Sequence, residues 1–227
     1  MSDIVAIHQP NYLPWLGYFN KMQLADKFIL YDTAQYPKNN FANRNKIRTK
    51  DGWVYLTIPI EKGYHFKPIA GVELPKDDRW KQKHWASIQA NYARAGYFDS
   101  YKNELEQIYT KEKFETLVDV NLRLIEFVRI AFGIETEMLR SSELDWDPQK
   151  KGTNALIDML EAVGAKRYLT GSGGSDEYLD REKFTTIKLQ WHEYQHPTYH
   201  QAFPGFQSHM AAVDAVLNLG DKAKELI

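Results

Sequence analysis

Residues 4–32 decide the fold prediction and read IVAIHQPNYLPWLGYFNKMQLADKFILYD. The apolar run at 4–7 stops at His8, which is typical of a strand that enters a loop. Residues 16–24 predict a short helix whose apolar positions include Leu24, and residues 28–31 predict a second strand. Strand, loop, helix and strand within about thirty residues form a βαβ unit, so we expect the two strands to be parallel and the crossover right-handed.

The rest of the chain continues this mixture of strands and helices. Asp51-Gly52 between two strand-like runs predicts a hairpin of 46–50 with 53–58. Helical spacing appears from Trp80 to Tyr92, and Thr153 is expected to cap a helix over 154–163. Further helices are predicted over 101–109, 114–132 (ended by Gly133) and 210–219 (ended by Gly220), and further strands over 72–74, 136–139, 167–170 and 186–191.

These elements predict the fold class and the domain organisation. We expect an α/β protein with one domain over residues 1–227, built on a mostly parallel Rossmann-like sheet. The β-hairpin and a helical insertion at about 78–133 are additions to that sheet. No internal repeat or low-complexity linker divides the 227 residues.

Composition excludes several classes of protein. The chain has no cysteine, which excludes disulfide scaffolds, cysteine nucleophiles and Cys-type zinc sites. Lys and Arg number 29 against 30 Asp and Glu, so the net charge of −1 gives no general attraction to nucleic acid or to anionic membranes. The N-terminus lacks the pattern of a signal peptide, and no apolar run is long enough to span a membrane. We therefore expect a cytoplasmic protein that neither binds nucleic acid nor inserts into a membrane.

The first candidate site follows the first predicted strand, at His8-Gln9-Pro10-Asn11. Ligands of open α/β sheets bind at the carboxyl ends of the strands, which is where His8 is expected. A phosphate at the N-terminus of the following helix would meet its backbone N–H groups, with His8 and the amides of Gln9 and Asn11 as further donors. A lone histidine at a strand end often only satisfies a backbone carbonyl, but the density of polar groups here favours a functional site.

A cationic segment, residues 35–48, follows the second strand. Lys38, Arg44, Lys46 and Arg48 alternate with amide side chains in a nearly neutral protein, which suits a phosphate-rich small molecule. If the segment rises from the same sheet edge as His8, both would face one cleft. The alternative is a solvated hairpin arm, because Arg44, Lys46 and Arg48 share one face of a strand.

Two later segments are also polar and lie after predicted strands. Gly171-Ser172-Gly173-Gly174 can present backbone N–H groups to an anion, although it lacks the lysine of a P-loop and three glycines also suit a simple tight turn. His192, His196 and His200 are too far apart on a strand to bind one metal ion, and Pro197 interrupts a helix. We expect no metal site there, but polar residues at the mouth of a ligand site.

The motifs together resemble the WbqC-like protein family, over nearly the whole chain. The resemblance rests first on the block that begins at His8-Gln9-Pro10 and is supported by later segments. These are Tyr12-Leu13-Pro14-Trp15-Leu16-Gly17-Tyr18-Phe19, Ala25-Asp26, Tyr31-Asp32, Gln35-Tyr36, Asn43-Arg44-Asn45, Ile47, Tyr168-Leu169, Gly171, Gly173-Gly174, Tyr178-Leu179, His196-Pro197, Tyr199, Gln201, Asp214, Asn218 and Gly220.

The resemblance implies an enzyme of bacterial surface-polysaccharide biosynthesis of the O-antigen type. Family members occur in such gene clusters, and the implied activity attaches an amino-acid or acyl unit such as glycine to the amine of a nucleotide-linked amino sugar. ATP with Mg²⁺ is the expected co-substrate if the acyl group is activated as an adenylate. A nucleotidyl- or glycosyltransferase of the same pathway and a non-catalytic module that binds a nucleotide or nucleotide-sugar are the alternatives.

The expected site residues fall into three roles, and none is expected to bind a metal ion. His8, Gln9 and Asp32 are the catalytic candidates. The candidates for binding phosphate or nucleotide are Asn11, Lys38, Asn43, Arg44, Lys46, Gly171, Gly173 and Gly174. The candidates for binding substrate are Tyr12, Tyr36, Tyr178, His196, Tyr199 and Gln201.

Overall fold

The structure is a computed structural model that describes residues 4–37, 40–171 and 179–227. It confirms an α/β fold with a parallel sheet and an antiparallel hairpin. In the described part of the chain the strands are β1 (Ile4–His8), β2 (Lys27–Leu30), β3 (Arg44–Thr49), β4 (Gly52–Thr57), β5 (Glu137–Arg140), β6 (Arg167–Gly171) and β7 (Lys188–His192). The α-helices there are α1 (Leu16–Gln23), α2 (Arg79–Tyr92), α3 (Phe98–Thr110), α4 (Leu117–Phe132), α5 (Thr153–Ala162) and α6 (Ala212–Leu219).

The chain divides into two compact units, each built from three separate segments. The first unit consists of Met1–Gln9, Asn20–Ala34 and Glu135–Gln195. The second consists of Pro10–Phe19, Gln35–Ile134 and His196–Ile227. One boundary between the units falls inside α1. The prediction of a single domain over 1–227 stays a prediction.

The first unit contains the five-stranded sheet, in the order β5-β2-β1-β6-β7. Every neighbouring pair is parallel, which confirms the predicted βαβ arrangement of β1 and β2. Numbered by position along the chain, these strands have the order 3-2-1-4-5, which is that of a Rossmann-like sheet. Val5, Ala6, Phe28 and Ile29 are buried because strands of a parallel sheet are covered on both faces and therefore consist of continuous apolar runs.

The second unit contains the hairpin β3–β4 and the helices α2, α3, α4 and α6. Helix α2 packs on α3, and α6 packs on α3 and α4. A capping box of Thr116 and Asp119 begins α4. Gly133, in the left-handed conformation at φ 67°, ends α4 as the sequence predicts. The described part of the chain has no helix that is long and apolar enough to cross a membrane.

Four local predictions need correction. Thr153 is the first residue of α5 and not its cap, and its hydroxyl accepts a hydrogen bond from the Asp180 N–H. Residues 72–74 form only an isolated bridge from Glu73 to Thr116. The hairpin pairs Thr49 with Gly52, so its two-residue loop lies one position earlier than Asp51-Gly52. Leu24 is 49% exposed, whereas Lys21 occupies a buried position of α1.

Candidate functional site

The carboxyl edge of the five-stranded sheet brings together ends of strands that are far apart in sequence. The register pairs His8 with Leu30 and Leu30 with Arg140. It also pairs Gly171 with His192, and continuing the β1–β6 register places Gly171 level with His8. The order of the strands reverses between β1 and β6, and ligands of such sheets bind outside the carboxyl ends at that point. His8 and Gly171 therefore occupy the position that the fold itself favours for a ligand.

Lys21 is the most unusual residue at this edge. Its side chain is only 5% exposed, although it carries an amine. The Nζ atom donates a hydrogen bond of 2.9 Å to the Ile7 carbonyl oxygen, one residue before the end of β1. Within the described residues no carboxylate forms an ion pair with Lys21. Burial without a counter-charge lowers its pKa from 10.5 to about 7.

Two imidazoles share the electrostatic environment of Lys21. Burial, repulsion from Lys21 and a smaller repulsion from His192 lower the pKa of His8 to about 3, although the Gln9 carbonyl opposes this shift. Burial and then Lys21 lower the pKa of His192 to about 4. We call Lys21, His8 and His192 the Lys21 cluster. Both imidazoles are neutral at neutral pH, so the cluster carries far less positive charge than its composition suggests.

The rings of His8 and His192 both have contacts within the first unit. The Nδ1 atom of His8 lies 3.1 Å from the Gln9 carbonyl oxygen, and His8 and Gln9 are both half-buried. The Nε2 atom of His192 lies 2.6 Å from the Asn20 Oδ1 oxygen, and its ring stacks on Tyr194 at an interplanar angle of 10°. Since an amide oxygen only accepts, Nε2 of His192 carries the proton.

Asp32, the third catalytic candidate, is fully buried and its carboxylate is fully used by the protein. Its Oδ2 atom accepts hydrogen bonds from Arg140 Nε (2.9 Å) and Ser142 Oγ (2.7 Å). Its Oδ1 atom accepts from Ser141 Oγ (2.8 Å) and the Ser142 N–H (2.9 Å). Four donors on one carboxylate are typical of a structural role, which here joins the ends of β2 and β5. A catalytic role for Asp32 stays a prediction.

Tyr12 lies in the core of the second unit. Its hydroxyl is 2.8 Å from Nδ1 of His84 and 2.6 Å from the Tyr109 hydroxyl, and Nε2 of His84 is 3.2 Å from the Thr57 carbonyl oxygen. The carbonyl can only accept, so His84 donates from Nε2 and accepts at Nδ1. The chain of donors therefore runs from Tyr109 to Tyr12 to His84 to Thr57. Tyr12 has internal partners, and contact with substrate stays a prediction.

Tyr199 and Gln201 converge on Asp214, a buried carboxylate at the start of α6. The hydroxyls of Tyr92 and Tyr199 donate to it at 2.7 Å each, and Gln201 Nε2 donates at 2.9 Å. Burial raises the pKa of Asp214, while these donors and the charge of Arg48 oppose that shift. A cavity of about 380 Å³, lined by residues 199–206, adjoins this network. The substrate contacts predicted for Tyr199 and Gln201 stay predictions.

The cationic segment divides into a buried and an aromatic-covered part. Arg48 is 2% exposed and donates to the carbonyls of Thr49, Gly52, Pro204 and Gly205, so it does not belong to a solvated face as the alternative assumed. The Arg44 guanidinium lies 4.7 Å from the Tyr55 ring centroid, and Lys46 Nζ lies 4.5 Å from that of Trp53. Phosphate binding by Arg44 and Lys46 stays a prediction.

Three other candidates of the second unit are buried. Asn11 is 7% exposed, and Tyr36 has its pKa raised by burial, with Arg44 opposing the shift. Asn43 donates from Nδ2 to the Ile58 carbonyl at 2.8 Å, and within the described residues its Oδ1 atom has no hydrogen-bond partner. An acceptor oxygen does not favour phosphate, so this geometry gives the predicted role of Asn43 no support.

His196 forms an aromatic cluster with two neighbours in the second unit. Its ring stacks on Trp15, with centroids 6.3 Å apart, and lies 4.8 Å from the His209 ring. The His209 N–H donates to Nε2 of His196, and Nδ1 lies 2.9 Å from the Pro197 carbonyl oxygen. His209 adopts a positive φ of 59°, a conformation that is costly for a residue with a side chain.

The structure thus brings His8, Gln9 and Gly171 to one edge of the first unit and adds two residues that the sequence analysis did not select, Lys21 and His192. Lys21 follows Tyr18 by three residues on a helix, so its place on the buried face could have been found from spacing. The shared cleft predicted for His8 and Arg44 joins residues of both units and stays a prediction. Lys38, Gly173, Gly174 and Tyr178 lie outside the described residues.

Metal binding has no preformed site in the described residues, where no group of three or more His, Cys, Asp or Glu side chains could hold an ion. This does not decide how Mg²⁺ would enter, because Mg²⁺ usually binds through the phosphates of a nucleotide and one or two carboxylates. Mg²⁺ would then enter together with ATP as part of the substrate.

Comparison with known proteins adds family information. A sequence model described as the WbqC-like protein family matches residues 9–226. The chain is 31% identical over 227 residues to the uncharacterized protein Rv1507c of Mycobacterium tuberculosis (strain ATCC 25618 / H37Rv), an alignment that covers 98% of this chain and 96% of that protein. No solved structure matches the chain.

Proposed function

This chain belongs to the WbqC-like protein family, and from this premise we propose that it is a cytoplasmic enzyme of surface-polysaccharide biosynthesis that acylates the amine of a nucleotide-linked amino sugar. The acyl unit in this proposal is an amino acid such as glycine. The observation that carries the proposal is the Lys21 cluster, because a buried amine that acts electrostatically on two imidazoles stands at the carboxyl ends of the strands of a Rossmann-like sheet.

The cost of burying Lys21 supports a functional role for it. A buried amine without a carboxylate partner lowers stability, since the ammonium form loses its hydration. Such a residue is not explained by packing, because an apolar side chain of the same length would fill the space without that cost. Strongly shifted pKa values concentrate at functional sites for this reason.

In the proposed reaction the carboxylate of the amino acid first attacks the α-phosphate of ATP, which releases pyrophosphate and forms an acyl adenylate. The neutral amine of the sugar then attacks the acyl carbonyl, the amide bond forms, and AMP leaves with the bonding electron pair. The amine proton passes to solvent or to a neighbouring base. Gln9 and the Lys21 amine donate hydrogen bonds to phosphate oxygens, which stabilises the charge that develops as pyrophosphate and then AMP leave.

The test is product formation with purified protein. The protein is incubated with a nucleoside-diphosphate-linked 2-amino sugar, glycine, ATP and Mg²⁺, and the sugar nucleotide is analysed by mass spectrometry. We expect a product heavier by one glycyl unit and an equal amount of AMP. Lys21→Met should abolish product. Lys188→Met should leave product formation unchanged, because Lys188 lies at the amino end of β7 and the Lys21 cluster lies at the carboxyl ends of the strands.

The alternatives give different results in this experiment and in a parallel one in which a sugar phosphate replaces the nucleotide-sugar. Product with release of a nucleoside mono- or diphosphate from the sugar, without AMP from ATP, would indicate glycosyl transfer. Pyrophosphate release that requires a sugar phosphate would indicate nucleotidyl transfer. A rise in melting temperature with the nucleotide-sugar but no product would contradict the enzyme and favour a binding module.

A further inference from the structure

The charge state of the Lys21 cluster depends on what occupies it. Three side chains that can carry a proton lie together: Lys21 on α1, His8 at the end of β1 and His192 at the end of β7. The charge of Lys21 lowers the pKa of both imidazoles, and His192 lowers that of His8, so protonation of Lys21 opposes protonation of either ring. Among the described residues, the groups that contact Lys21 and His192 are neutral: the Ile7 carbonyl, the Asn20 amide and the Tyr194 ring, whose hydroxyl has its pKa raised by burial.

An anion changes this balance because it supplies the missing counter-charge. An opposite charge within a few ångströms favours the protonated amine and raises its pKa, which reverses the effect of burial. The hydrogen bonds between an ammonium and a phosphate oxygen are also stronger than those of a neutral amine. A site that is nearly neutral when empty therefore becomes cationic when an anion enters.

We propose that the Lys21 cluster is a proton-coupled anion site, in which binding of a phosphate or diphosphate group draws one proton from solution onto the Lys21 amine. The proton forms an ammonium group at Nζ, and no bond of the ligand is broken. The inference rests on the proposed function in one respect, since the diphosphate of a nucleotide-linked sugar is the occupant that it favours. An isolated inorganic anion shares the same chemistry.

Proton uptake is measured by isothermal titration calorimetry. The intact protein is titrated with sulfate, a dianion that does not itself titrate near neutral pH, and separately with uridine diphosphate. Each titration is repeated at pH 8 in buffers that differ in ionisation enthalpy, so the dependence of the observed heat on that enthalpy counts the protons taken up. We expect close to one proton per bound ligand at pH 8 and close to none at pH 6, where Lys21 is already protonated.

Affinity gives a second readout of the same coupling. Uptake of one proton predicts that Kd increases about tenfold between pH 8 and pH 9, because linkage changes log K by one for each proton and pH unit. Ligands that bind with no proton uptake at pH 8, or with a Kd that does not change over this interval, would overturn the proposal, as would the absence of binding of both ligands.

Three variants test whether the Lys21 amine is the group that takes up the proton. Lys21→Met should lose both the proton uptake and the pH dependence. Lys21→Arg keeps a permanent cation, so it should bind without taking up a proton. Lys188→Met, an exposed lysine at the amino end of β7, should behave as the wild type. Wild-type proton counts decide the proposal even where a variant does not fold.

Uridine diphosphate and sulfate also distinguish the source of the anion. Tighter binding of uridine diphosphate, with the same proton count, supports a nucleotide as the occupant, whereas equal affinities support a site for any phosphate-like group. Failure of this proposal and failure of the proposed function are distinguishable. Proton-linked binding without glycylated product contradicts only the function, and product without proton-linked binding contradicts only the coupling.

Discussion

Lys21 Nζ donates a hydrogen bond of 2.9 Å to the carbonyl oxygen of Ile7, so the amine on α1 has a neutral partner at the penultimate residue of β1. A carbonyl dipole satisfies one N–H but does not compensate a full charge. This hydrogen bond holds the neutral amine in place, whereas the protonated amine lowers the stability of the fold because the carbonyl does not offset the lost hydration of the charge. The first prediction follows from this cost.

Lys21→Met should raise the free energy of unfolding near neutral pH. The folded pKa of about 7 lies below the ordinary 10.5, so between these values the unfolded chain binds one proton more than the folded protein. Wild-type stability therefore rises with pH across this window, and the cost of burial is complete below pH 7. Methionine does not titrate, so the excess in free energy of unfolding of Lys21→Met over the wild type should shrink by about 1.4 kcal/mol per pH unit from pH 7.5 to 9.5. Urea unfolding of both proteins measures the difference, and parallel pH curves would contradict the expectation.

Tyr199→Phe should destabilise the protein because it removes a donor from the buried carboxylate of Asp214. Hydrogen bonds to charged groups contribute about 1.5–3 kcal/mol, and we expect a loss of this size in denaturant unfolding. Tyr97→Phe is the matched control, since Tyr97 is an exposed tyrosine of the same unit, and its loss should stay within about 0.5 kcal/mol. Unchanged stability of Tyr199→Phe with a raised KM would instead identify Tyr199 as a substrate contact.

The buried hydrogen-bond chain from Tyr109 to Thr57 predicts which of two tyrosine variants loses more stability. Tyr12→Phe leaves both His84 Nδ1 and the Tyr109 hydroxyl without a partner, and each unsatisfied buried group costs about 1–3 kcal/mol. Tyr109→Phe leaves the bond from Tyr12 to His84 intact, so we expect a loss of only about 1 kcal/mol. Chemical denaturation of the two single variants tests the order. A larger loss in Tyr109→Phe would mean that the direction of donation is wrong.

His196 should be a neutral Nδ1–H tautomer at neutral pH. Its Nε2 atom accepts from the His209 N–H and therefore carries no proton, which leaves the proton on Nδ1 facing the Pro197 carbonyl. Burial lowers its pKa, so this state persists below the ordinary histidine range. Nitrogen-15 NMR of the imidazole rings at pH 7 distinguishes the tautomers. A protonated Nε2 atom would disprove the assignment.

The βαβ unit of residues 4–32 could be predicted because its apolar runs and its polar interruption are local properties. The hairpin followed from an Asp-Gly pair, but its register shifted by one residue because cross-strand pairing, such as Arg48 with Trp53, also decides the register. The residue type of Thr153 predicts a helix cap, yet its hydroxyl accepts a hydrogen bond from the N–H of Asp180, 27 residues away. Contacts of that kind are decided by tertiary structure.

Local sequence properties also predict only part of the candidate site. His8 and Gln9 stand at a strand end that the sequence places correctly. Lys21 was missed because lysine is nearly always solvated, so its position on the buried face of α1 contradicts the usual preference. The tyrosines were assigned to substrate from their polar tips, but Tyr199 reaches a carboxylate 15 residues away and Tyr12 reaches a hydroxyl 97 residues away.

The alternation of segments between the two units has a consequence for how the chain can be made and cut. The polypeptide passes from one unit to the other five times, and its last segment, His196–Ile227, completes the second unit. During synthesis the second unit therefore cannot be completed before residues 196–227 are made, and the first cannot be completed before β7 is made. No single cleavage or truncation releases either unit whole, so genetic dissection of this protein has to proceed by point substitution.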